Sequence, residues 1–496
     1  MTKTNSKKAL LSSAFALVLS AAMLIGTTFA WFTDTASTGV NKIVSGNLKV
    51  DIIGENSDSH IEKLNFKKAA ATDTKTGAAI LWEPGCRYLT EGFRIANKGN
   101  LALKWKAQVN MNNIINGKVE GSTIAKDGKS LLDVIDFYVV TSTDENAEAV
   151  AIENFVGNLT AGAKSGVYYI KGVMQTTAGN DYQDLTLDGI TVTVIATQDT
   201  VENDSFNNQY DKDAEYPILV TTGDELQAIV SNATAPVNIV LANSITTNNF
   251  VIPADKDVTL DLNGRTVTNA GSHTILNKGH LTLTDSSTDK SGQIISLKGN
   301  TAALRNGDNA VCVVEGGTIS RDGANGNTWH VVENFGKMTF NGGKVVLKNG
   351  NGFAITNGWN YFDPGASTTH AVMEINALEL DTDSSGIKNC RYGDLTVNDA
   401  TVTSTGYWAL SNDYLGTAVI NGGTLTSNSF KAVSNGAAMT VNGGTFDGTE
   451  GLFVQSYATS TVLNGGTFTN MNVDALSSYV GTGHTAQQSG TSVIIK

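Results

Sequence analysis

The stretch Val441-Asn442-Gly443-Gly444-Thr445-Phe446 belongs to a phrase that recurs through the second half of the chain. An apolar residue, Asn-Gly-Gly, a Thr or Lys and a second apolar residue also begin at Phe340, Ile420 and Leu463, and Val314 begins a version with Glu for Asn. Self-similarity at a fixed period is the sequence signature of a solenoid. Each period is too short to enclose a core, so successive periods must stack on one another.

A second asparagine keeps the same period. It follows an apolar residue and one variable residue, as in Leu410-Ser411-Asn412, and we expect Val454 and Ser456 to continue the series. Side-chain amides repeated in this way can bond from turn to turn, as in cross-β stacks. The predicted ladder residues are Asn334, Asn357, Asn389, Asn412 and Asn435 in one series, and Asn341, Asn398, Asn421, Asn442 and Asn464 in the other.

Short β-rich segments separated by Gly and Asn, with a period of about 22 residues, predict a right-handed parallel β-helix over residues 217–496. We expect a solenoid that resembles the pectin-lyase-like type. Thr222-Gly223-Asp224-Glu225 has the pattern of a capping box, and Leu226, Ile229 and Val230 follow at helical spacing. We expect a short capping helix there, which covers a first coil beginning near Val237.

Residues 1–30 have the features of a secretory signal peptide. Lysines precede an apolar run from Ala9 to about Ile25, and Thr28-Phe29-Ala30 supplies small residues at positions −3 and −1. We expect cleavage before Trp31 and a secreted, extracellular protein, with no membrane segment after cleavage. Uncleaved, the run would be just long enough to anchor a helix.

Charge and cysteine content narrow the class of protein. The formal net charge is −13, and loss of the three lysines of the signal peptide makes the mature chain more acidic still. Such a chain is not expected to bind nucleic acid or anionic membranes. Cys86, Cys312 and Cys390 form no disulfide framework, which suits the surface of a monoderm bacterium.

No metal or other cofactor is expected. The Gly-Gly phrases lack the Asp that a calcium-binding nonapeptide repeat needs. The acidic segment 199–216 reads as a linker, and it lacks the Gly and the terminal Glu of a dedicated calcium loop.

Residues 31–198 show alternating strands without a short repeat, for example Gly92–Asn97, Leu101–Lys106 and Gly189–Val194. Alternation of this kind is typical of antiparallel strands with one solvated face. The number of strands predicts a β-sandwich, so the whole chain is expected to be all-β.

The start of the chain carries a resemblance to a known family. Gly26-Thr27-Thr28-Phe29-Ala30-Trp31-Phe32-Thr33-Asp34, Ser45–Val50, Trp82-Glu83-Pro84-Gly85, the Asn97–Ala102 turn and the Leu187–Gln198 strand occur in the order found in that family. Over about residues 1–200 the chain resembles the camelysin and TasA-like family of exported matrix proteins. The resemblance implies an antiparallel jelly-roll-like sandwich and, in fibre-forming members, polymerisation.

In those fibres the freed N-terminal segment adds as a strand to the neighbouring subunit. Residues 31–44 are short and rich in Ser and Thr, and strand addition takes its affinity from main-chain hydrogen bonds. The alternative, that this segment folds back as the first strand of its own domain, stays open. The candidate assembly residues are Trp31, Phe32, Thr33, Asp34, Val40 and Ile43.

Some members of that family are described as metallopeptidases. A zinc protease of the common type would carry His-Glu-x-x-His. The only histidine of the first domain is His60, in His60-Ile61-Glu62-Lys63, which is not this motif. We therefore expect no protease activity.

Parallel β-helices also host polysaccharide lyases and glycosidases, so the second domain needs the same test. Asp381 and Asp383, two apart on a strand, would lie about 7 Å apart, within the range of a glycosidase pair. Lys388 and Arg391 could supply a base and a cation. The surrounding residues resemble a turn, where solvated Asp is ordinary. We do not expect an enzyme.

An insertion supplies a better candidate site. Asn357 to Asn376 takes nineteen residues, where the same step from Asn334 to Asn341 takes seven. Insertions in a solenoid form surface loops, often on the binding face. The alternative is that its rings pack down on the rod. The candidate ligand-binding residues are Trp359, Tyr361, Phe362, Asp363, Trp329 and Trp408, with Tyr407 beside them. The aromatic members of this set could stack on sugars.

These features together predict a secreted cell-surface or biofilm-matrix structural protein, with the β-helix as a rod for display and adhesion. Its expected partners are other copies of itself or other matrix subunits, and a glycan ligand. The first alternative is a soluble carbohydrate-binding adhesin. The second is a β-helix polysaccharide lyase or glycoside hydrolase.

Overall fold

The computed structural model describes residues 48–61, 64–67, 80–111, 114–115, 118–119, 129–144, 147–187, 190–199, 216–324, 329–359 and 369–496. The predicted signal peptide, the predicted assembly segment 31–44 and most of the predicted linker lie outside these residues. Almost all the regular structure is β-strand, which confirms the predicted fold class. Within the described residues, no helix has the length and apolar character needed to cross a membrane.

The first part of the structure consists of antiparallel strands. Its two larger sheets have the strand orders β10-β5-β12 and β2-β3-β11-β8-β9, and β1 pairs with β4 and β6 with β7. The strands are β1 (Val50–Gly54), β2 (Phe66–Lys67), β3 (Arg87–Thr90), β4 (Phe93–Asn97), β5 (Leu103–Met111), β6 (Ile114–Ile115), β7 (Lys118–Val119), β8 (Ile135–Val140), β9 (Val150–Ala151), β10 (Val156–Leu159), β11 (Tyr169–Met174) and β12 (Ile190–Gln198). Short 3-10 helices occupy Leu131–Asp133, Ile152–Asn154 and Asn180–Tyr182.

Trp105 of β5 lies at the centre of this part. Its ring is 4.8 Å from that of Phe155, which is 4.6 Å from that of Tyr168. The same apolar cluster contains Val139 of β8 and Ile170 of β11. The two larger sheets therefore share one core, as expected for a sandwich.

The second part is a parallel β-solenoid of about ten turns, which runs from residue 218 to 468. Each complete turn adds one strand to each of three sheets, and the strands of each sheet pair in parallel with their equivalents in the neighbouring turns. Alternate residues along the strands point inward, where Leu, Ile, Val and Phe side chains form one continuous core. Stacked turns bury these faces against each other, which no single turn could do alone.

Sheet 1 consists of β13 (Ile218–Val220), β14 (Val237–Leu241), β17 (Asp257–Asp261), β20 (His280–Thr284), β23 (Val311–Val314), β26 (Lys337–Phe340), β29 (Ala371–Ile375), β32 (Gly393–Val397), β35 (Thr417–Ile420), β38 (Ala438–Val441) and β41 (Ser460–Leu463). Sheet 2 consists of β15 (Ile245–Thr247), β18 (Thr266–Asn269), β21 (Gln293–Ser296), β24 (Thr318–Asp322), β27 (Lys344–Lys348), β30 (Glu379–Thr382), β33 (Thr401–Ser404), β36 (Thr424–Ser427), β39 (Thr445–Asp447), β42 (Gly466–Phe468), β44 (Ser492–Ile495) and β43 (Ala486–Ser489). Sheet 3 consists of β16 (Val251–Ile252), β19 (Ile275–Asn277), β22 (Leu304–Asn306), β25 (Val332–Asn334), β28 (Phe353–Asn357), β31 (Ser385–Asn389), β34 (Leu410–Asn412), β37 (Val433–Asn435) and β40 (Leu452–Val454).

Helix α1 (Gly223–Asn232) covers the first end of the solenoid. Leu226 and Val230 are fully buried in the solenoid core. The Thr222 hydroxyl accepts a hydrogen bond of 3.1 Å from the Glu225 main chain, as a helix cap should. The Glu225 carboxylate does not return to the N-cap residue; it accepts from the main-chain N–H of Thr221 at 2.8 Å. Half of the predicted capping box is therefore formed. The Glu225 carboxylate accepts from the residue before the N-cap instead of from the N-cap itself.

The first strand of the solenoid also begins earlier than predicted. β13 precedes α1 in the chain and already pairs in parallel with β14, so that Ile218 lies beside Ile239. Three residues without a repeat motif gave no signal of this strand. The sheet begins before its capping helix rather than near Val237.

The second end of the solenoid is closed by elements that the sequence did not predict. These are helix α2 (Val473–Leu476), a 3-10 turn (Ser477–Tyr479) and the β43–β44 hairpin, whose β44 pairs antiparallel with β42. Leu476, Val493 and Ile495 are buried in the solenoid core. A change from parallel to antiparallel pairing ends the stack, because no further turn can continue the parallel register.

Candidate functional site

Two ladders of asparagine side chains run along the solenoid. In the inner ladder, each side-chain nitrogen donates to the side-chain oxygen one turn later. The distances are 2.8 Å for Asn277 to Asn306 and for Asn306 to Asn334, 2.7 Å for Asn334 to Asn357, 2.9 Å for Asn357 to Asn389, 2.8 Å for Asn389 to Asn412 and 2.9 Å for Asn412 to Asn435. These side chains are almost completely buried. Unpaired amides would be costly there.

The outer ladder lies on the surface and runs in the opposite direction. Each of its nitrogens donates to the preceding turn, over 2.7–2.9 Å, through Asn464, Asn442, Asn421, Asn398, Asn376 and Asn341. The ladder ends where Asn341 donates to the Glu315 carboxylate at 2.8 Å. Glu315 stands where the other repeats have Asn, so its carboxylate is the terminal acceptor of the outer ladder.

The predicted continuation of the inner ladder at Ser456 is wrong. Leu452 pairs with Val433 and Val454 with Asn435, so Val454 and not Ser456 stands at the ladder position. Asn435 instead donates to the main-chain oxygen of Ser460 and to the hydroxyl of Thr461, both at 2.8 Å. The ladder stops one turn earlier than expected because the side chain of Val454 offers no acceptor.

The proposed catalytic groups have separate partners. Asp381 accepts from Lys348 at 2.7 Å, and the Asp383 carboxylate accepts from the main-chain N–H groups of two residues in the preceding turn. Lys388 forms an ion pair with Asp413 at 3.2 Å. The fourth group, Arg391, donates to the Tyr392 hydroxyl at 3.1 Å. Asp381 lies on sheet 2 and Lys388 on sheet 3, so the structure gives no joint role to the four residues.

Trp359 lies at the base of the insertion. Its main-chain N–H donates to the Arg391 oxygen at 2.9 Å, and its ring centroid is 4.5 Å from that of Phe335. The side chain is half-buried. Trp359 therefore packs on the rod, while Tyr361, Phe362 and Asp363 lie outside the described residues.

Trp329 takes part in a charged cluster on the outer face of sheet 3. Its ring nitrogen donates to the Glu333 carboxylate at 3.0 Å, and Arg305 reaches the same carboxylate at 2.9 Å. The Arg305 guanidinium also lies 4.5 Å from the centroid of the Phe335 ring. Glu333 is only 3% exposed. The ring of Trp329 is thus oriented by a structural ion pair.

Trp408 lies further along the same face, among other rings. Its centroid is 4.7 Å from that of Phe430, at nearly a right angle, and 6.1 Å from that of Phe453. Lys431 places its ammonium group 3.4 Å from the centroid of the Phe453 ring. Tyr407, next to it in sequence, is 57% exposed and rests its ring against Phe430. These contacts fix the orientation of the Trp408 ring.

A cleft of about 230 Å³ opens beside Trp408, and we name it the sheet-3 cleft. Its lining contains small residues, such as Ser411 and Ser434, together with Lys388 and Tyr457. Gln455 donates to the Ser434 hydroxyl at 3.2 Å. The cleft is lined by Phe353, Lys388, Trp408, Ser411, Asn412, Asp413, Ser434, Gly436, Gln455 and Tyr457. Of the predicted ligand-binding residues that the structure describes, Trp329, Trp359 and Trp408, only Trp408 lines this cleft.

A larger depression of about 380 Å³ lies between sheets 1 and 2. It is lined by Gly342, Gly343, Ala377, Leu378, Glu379, Asp399, Ala400 and Thr401. It contains two acidic residues but neither a ring nor a basic group among its lining, and Glu379 is paired with Lys344. Shape alone does not make it a site, so we favour the sheet-3 cleft.

Ionisable groups elsewhere on the rod have altered acidity. Burial lowers the pKa of His273 and of His330. Burial raises the pKa of Cys312 and of Cys390 to about 12, so neither thiol is a nucleophile at neutral pH. Within the described part of the chain, no group of three or more His, Cys, Asp or Glu side chains could hold a metal ion.

Comparison of the chain with protein-family models, with curated proteins and with solved structures found no match. The resemblance of residues 1–200 to the camelysin and TasA-like family therefore stays a prediction from the sequence.

Proposed function

We propose that this is an exported structural protein of the bacterial surface or biofilm matrix, in which the solenoid is a stiff rod. The observation that carries the proposal is the unbroken stack of parallel turns, locked by the two asparagine ladders and covered at both ends. At about 4.8 Å per turn, the stack is roughly 50 Å long. The predicted signal peptide and the family resemblance support export.

The covered ends bear on how such a protein would assemble. α1 buries Leu226 at one end, and the hairpin buries Val493 at the other. Elements that cover the ends of the core in this way oppose the stacking of another rod on them. Assembly would instead use the N-terminal segment 31–44, by strand addition.

Electron microscopy tests this proposal. The protein beginning at Trp31 is incubated at increasing concentration, beside a variant that lacks residues 31–44. Filaments from the first and single particles from the second are the expected result. Single particles from both would overturn self-assembly, and filaments from both would overturn the role of the segment.

A second candidate function is carbohydrate binding by the rod, as an adhesin. The specific observation that favours it is the sheet-3 cleft, where rings and polar side chains meet in one recess. The lyase or hydrolase alternative gains no support from Asp381, Asp383, Lys388 or Arg391, since each is engaged in a separate local contact.

A further inference from the structure

We propose that the sheet-3 cleft binds one ring of an uncharged sugar within a polysaccharide chain, stacked against Tyr457 beside Trp408. This inference rests on the second proposed function, carbohydrate binding, and names its site and ligand class. Of the insertion that the sequence indicates as a site, the described residues Gly358 and Trp359 do not line this cleft.

The size of the cleft suits a single ring. Ser411 and Ser434 occupy the outward position of two successive strands of sheet 3, between Lys388 one turn before and Phe453 one turn after. Two small side chains between two large ones leave a recess of about 230 Å³. This is smaller than the roughly 300–1,000 Å³ of pockets that enclose drug-sized ligands. An open recess of this size can hold one sugar ring while the chain continues along the surface.

Tyr457 supplies an accessible ring. Its side chain is 55% exposed, although it lies directly on the main chain of the preceding turn. A Cβ at Gly436 would lie 2.8 Å from Tyr457 Cε2. The absence of a side chain at residue 436 thus lets the ring approach the main chain closely while much of the side chain stays exposed. The C–H groups of a sugar can stack on the face of such a ring.

Trp408 supplies a fixed ring beside it. Phe430 and Phe453 hold its indole from two directions, so little side-chain entropy remains to be lost when a ligand binds. Rings held rigidly before binding give affinity at low entropic cost.

The polar groups of the cleft match hydroxyl groups rather than a charge. Lys388 and Asp413 are 3.2 Å apart and neutralise each other, and Lys431 and Glu450 are paired at 2.7 Å nearby. An ammonium group donates hydrogen bonds and a carboxylate accepts them, so a sugar hydroxyl can use both. With no unbalanced charge in the cleft and an acidic chain around it, a polyanionic glycan would be repelled.

Affinity electrophoresis tests the proposal. Separate gels contain a β-glucan, a mannan or a galactan as neutral polysaccharides, and a fourth gel contains the charged polygalacturonate. We expect retardation by at least one neutral polysaccharide. Tyr457→Ala is expected to weaken binding at least tenfold. Gly436→Ala, which displaces the Tyr457 ring while leaving it in the chain, should have a comparable effect. Tyr414→Ala is the control, because this tyrosine is also exposed, at 43%, and does not line the cleft.

The possible results separate the site from the function. Neutral binding that Tyr457→Ala and Gly436→Ala leave intact would overturn the site and keep the adhesin function, and loss on Trp359→Ala would then locate binding at the insertion. No retardation by any of the four polysaccharides would overturn both the site and the carbohydrate-binding function. Retardation by polygalacturonate alone would overturn the proposal that the ligand is uncharged. Equal urea midpoints of all variants show that lost binding is not lost folding.

Discussion

The side-chain nitrogen of Asn334 donates a hydrogen bond of 2.7 Å to the side-chain oxygen of Asn357, one turn further along the solenoid. Both side chains are fully buried. The same nitrogen also donates to the main-chain oxygen of Val372 at 2.9 Å. Each inner-ladder amide therefore joins two sheets of the rod as well as two turns.

Replacement of Asn357 by Ala should destabilise the solenoid by about 3 kcal/mol. The change removes the donor to Asn389 and the acceptor for Asn334 in a buried place, where unsatisfied polar groups cost about 1–3 kcal/mol each. Urea denaturation of the variant measures the loss.

Asn421→Ala is the matched control for Asn357→Ala. It removes the same pair of ladder bonds, to Asn398 and from Asn442, at an exposed position where water replaces them. We expect a loss below about 1 kcal/mol. Equal losses of stability in the two variants would show that burial does not determine how much a ladder hydrogen bond contributes to the free energy of unfolding.

The ladders could be predicted because an asparagine repeated at the same position of each period shows which residues of successive turns are equivalent. The sheet-3 cleft could not. It exists because Ser411 and Ser434 are small, and a small residue at an outward position carries no motif. The end of the inner ladder was misplaced for a related reason. Val454 occupies the position equivalent to Asn435 but is not an asparagine, so the sequence pattern favoured the polar Ser456 two residues later.

Asp261→Asn should stabilise the solenoid at neutral pH. Desolvation by burial raises the pKa of this carboxyl from 3.8. The folded state therefore binds more protons than the unfolded state in a window that begins near pH 3.8, and stability falls as pH rises through that window. An amide oxygen can still accept from the main-chain N–H groups of Asn263 at 2.9 Å and Ser286 at 2.8 Å.

Thermal unfolding between pH 3.5 and 7 checks this expectation, with Asp285→Asn as the contrasting variant. Asp285 accepts from Gly264 at one carboxylate oxygen, at 2.9 Å, and from Gly292 at the other, at 2.7 Å. An amide accepts at one side only, so this variant should lose about 1–3 kcal/mol. A loss of stability at pH 7 in Asp261→Asn would contradict the argument.

Acid should weaken the solenoid below about pH 6.5. Burial lowers the pKa of His273 from 6.5, so the folded state binds fewer protons than the unfolded state. The stability that depends on the neutral ring is complete above pH 6.5 and is lost as pH falls toward the lowered pKa. The nearby charges act in opposite directions, since Glu333 favours protonation and Arg305 and Arg321 oppose it.

Local geometry adds to this effect at His273. Its Nδ1 accepts a hydrogen bond of 2.8 Å from the Ala302 main chain, and a proton on that nitrogen would abolish the acceptor. We expect His273→Gln to lose less stability than the unaltered protein when pH is lowered from 7 to 5. His280→Gln, at an exposed position, should follow the unaltered protein. The expectation fails if all three show the same change in urea midpoint.

Gln227 of α1 acts as a strand partner for the first strand of sheet 3. Its side-chain oxygen accepts from the Val251 main-chain N–H at 2.8 Å, and its side-chain nitrogen donates to the Val251 oxygen at 3.0 Å. The amide side chain thus satisfies both main-chain groups that an edge strand would leave open. Gln227→Ala should cost about 1 kcal/mol and expose that edge.

Hydrogen exchange measured at the Val251 amide distinguishes this role from simple packing. In Gln227→Ala we expect faster exchange there, while the amide of Leu276, which donates to the Phe250 oxygen at 3.0 Å in the next turn, stays protected. Gln227→Glu keeps an acceptor and loses the donor, so it should retain the protection of Val251 despite a similar loss of stability. Equal protection of Val251 in all three proteins would mean that α1 covers the end of the rod by apolar contact alone, through Leu226 and Val230.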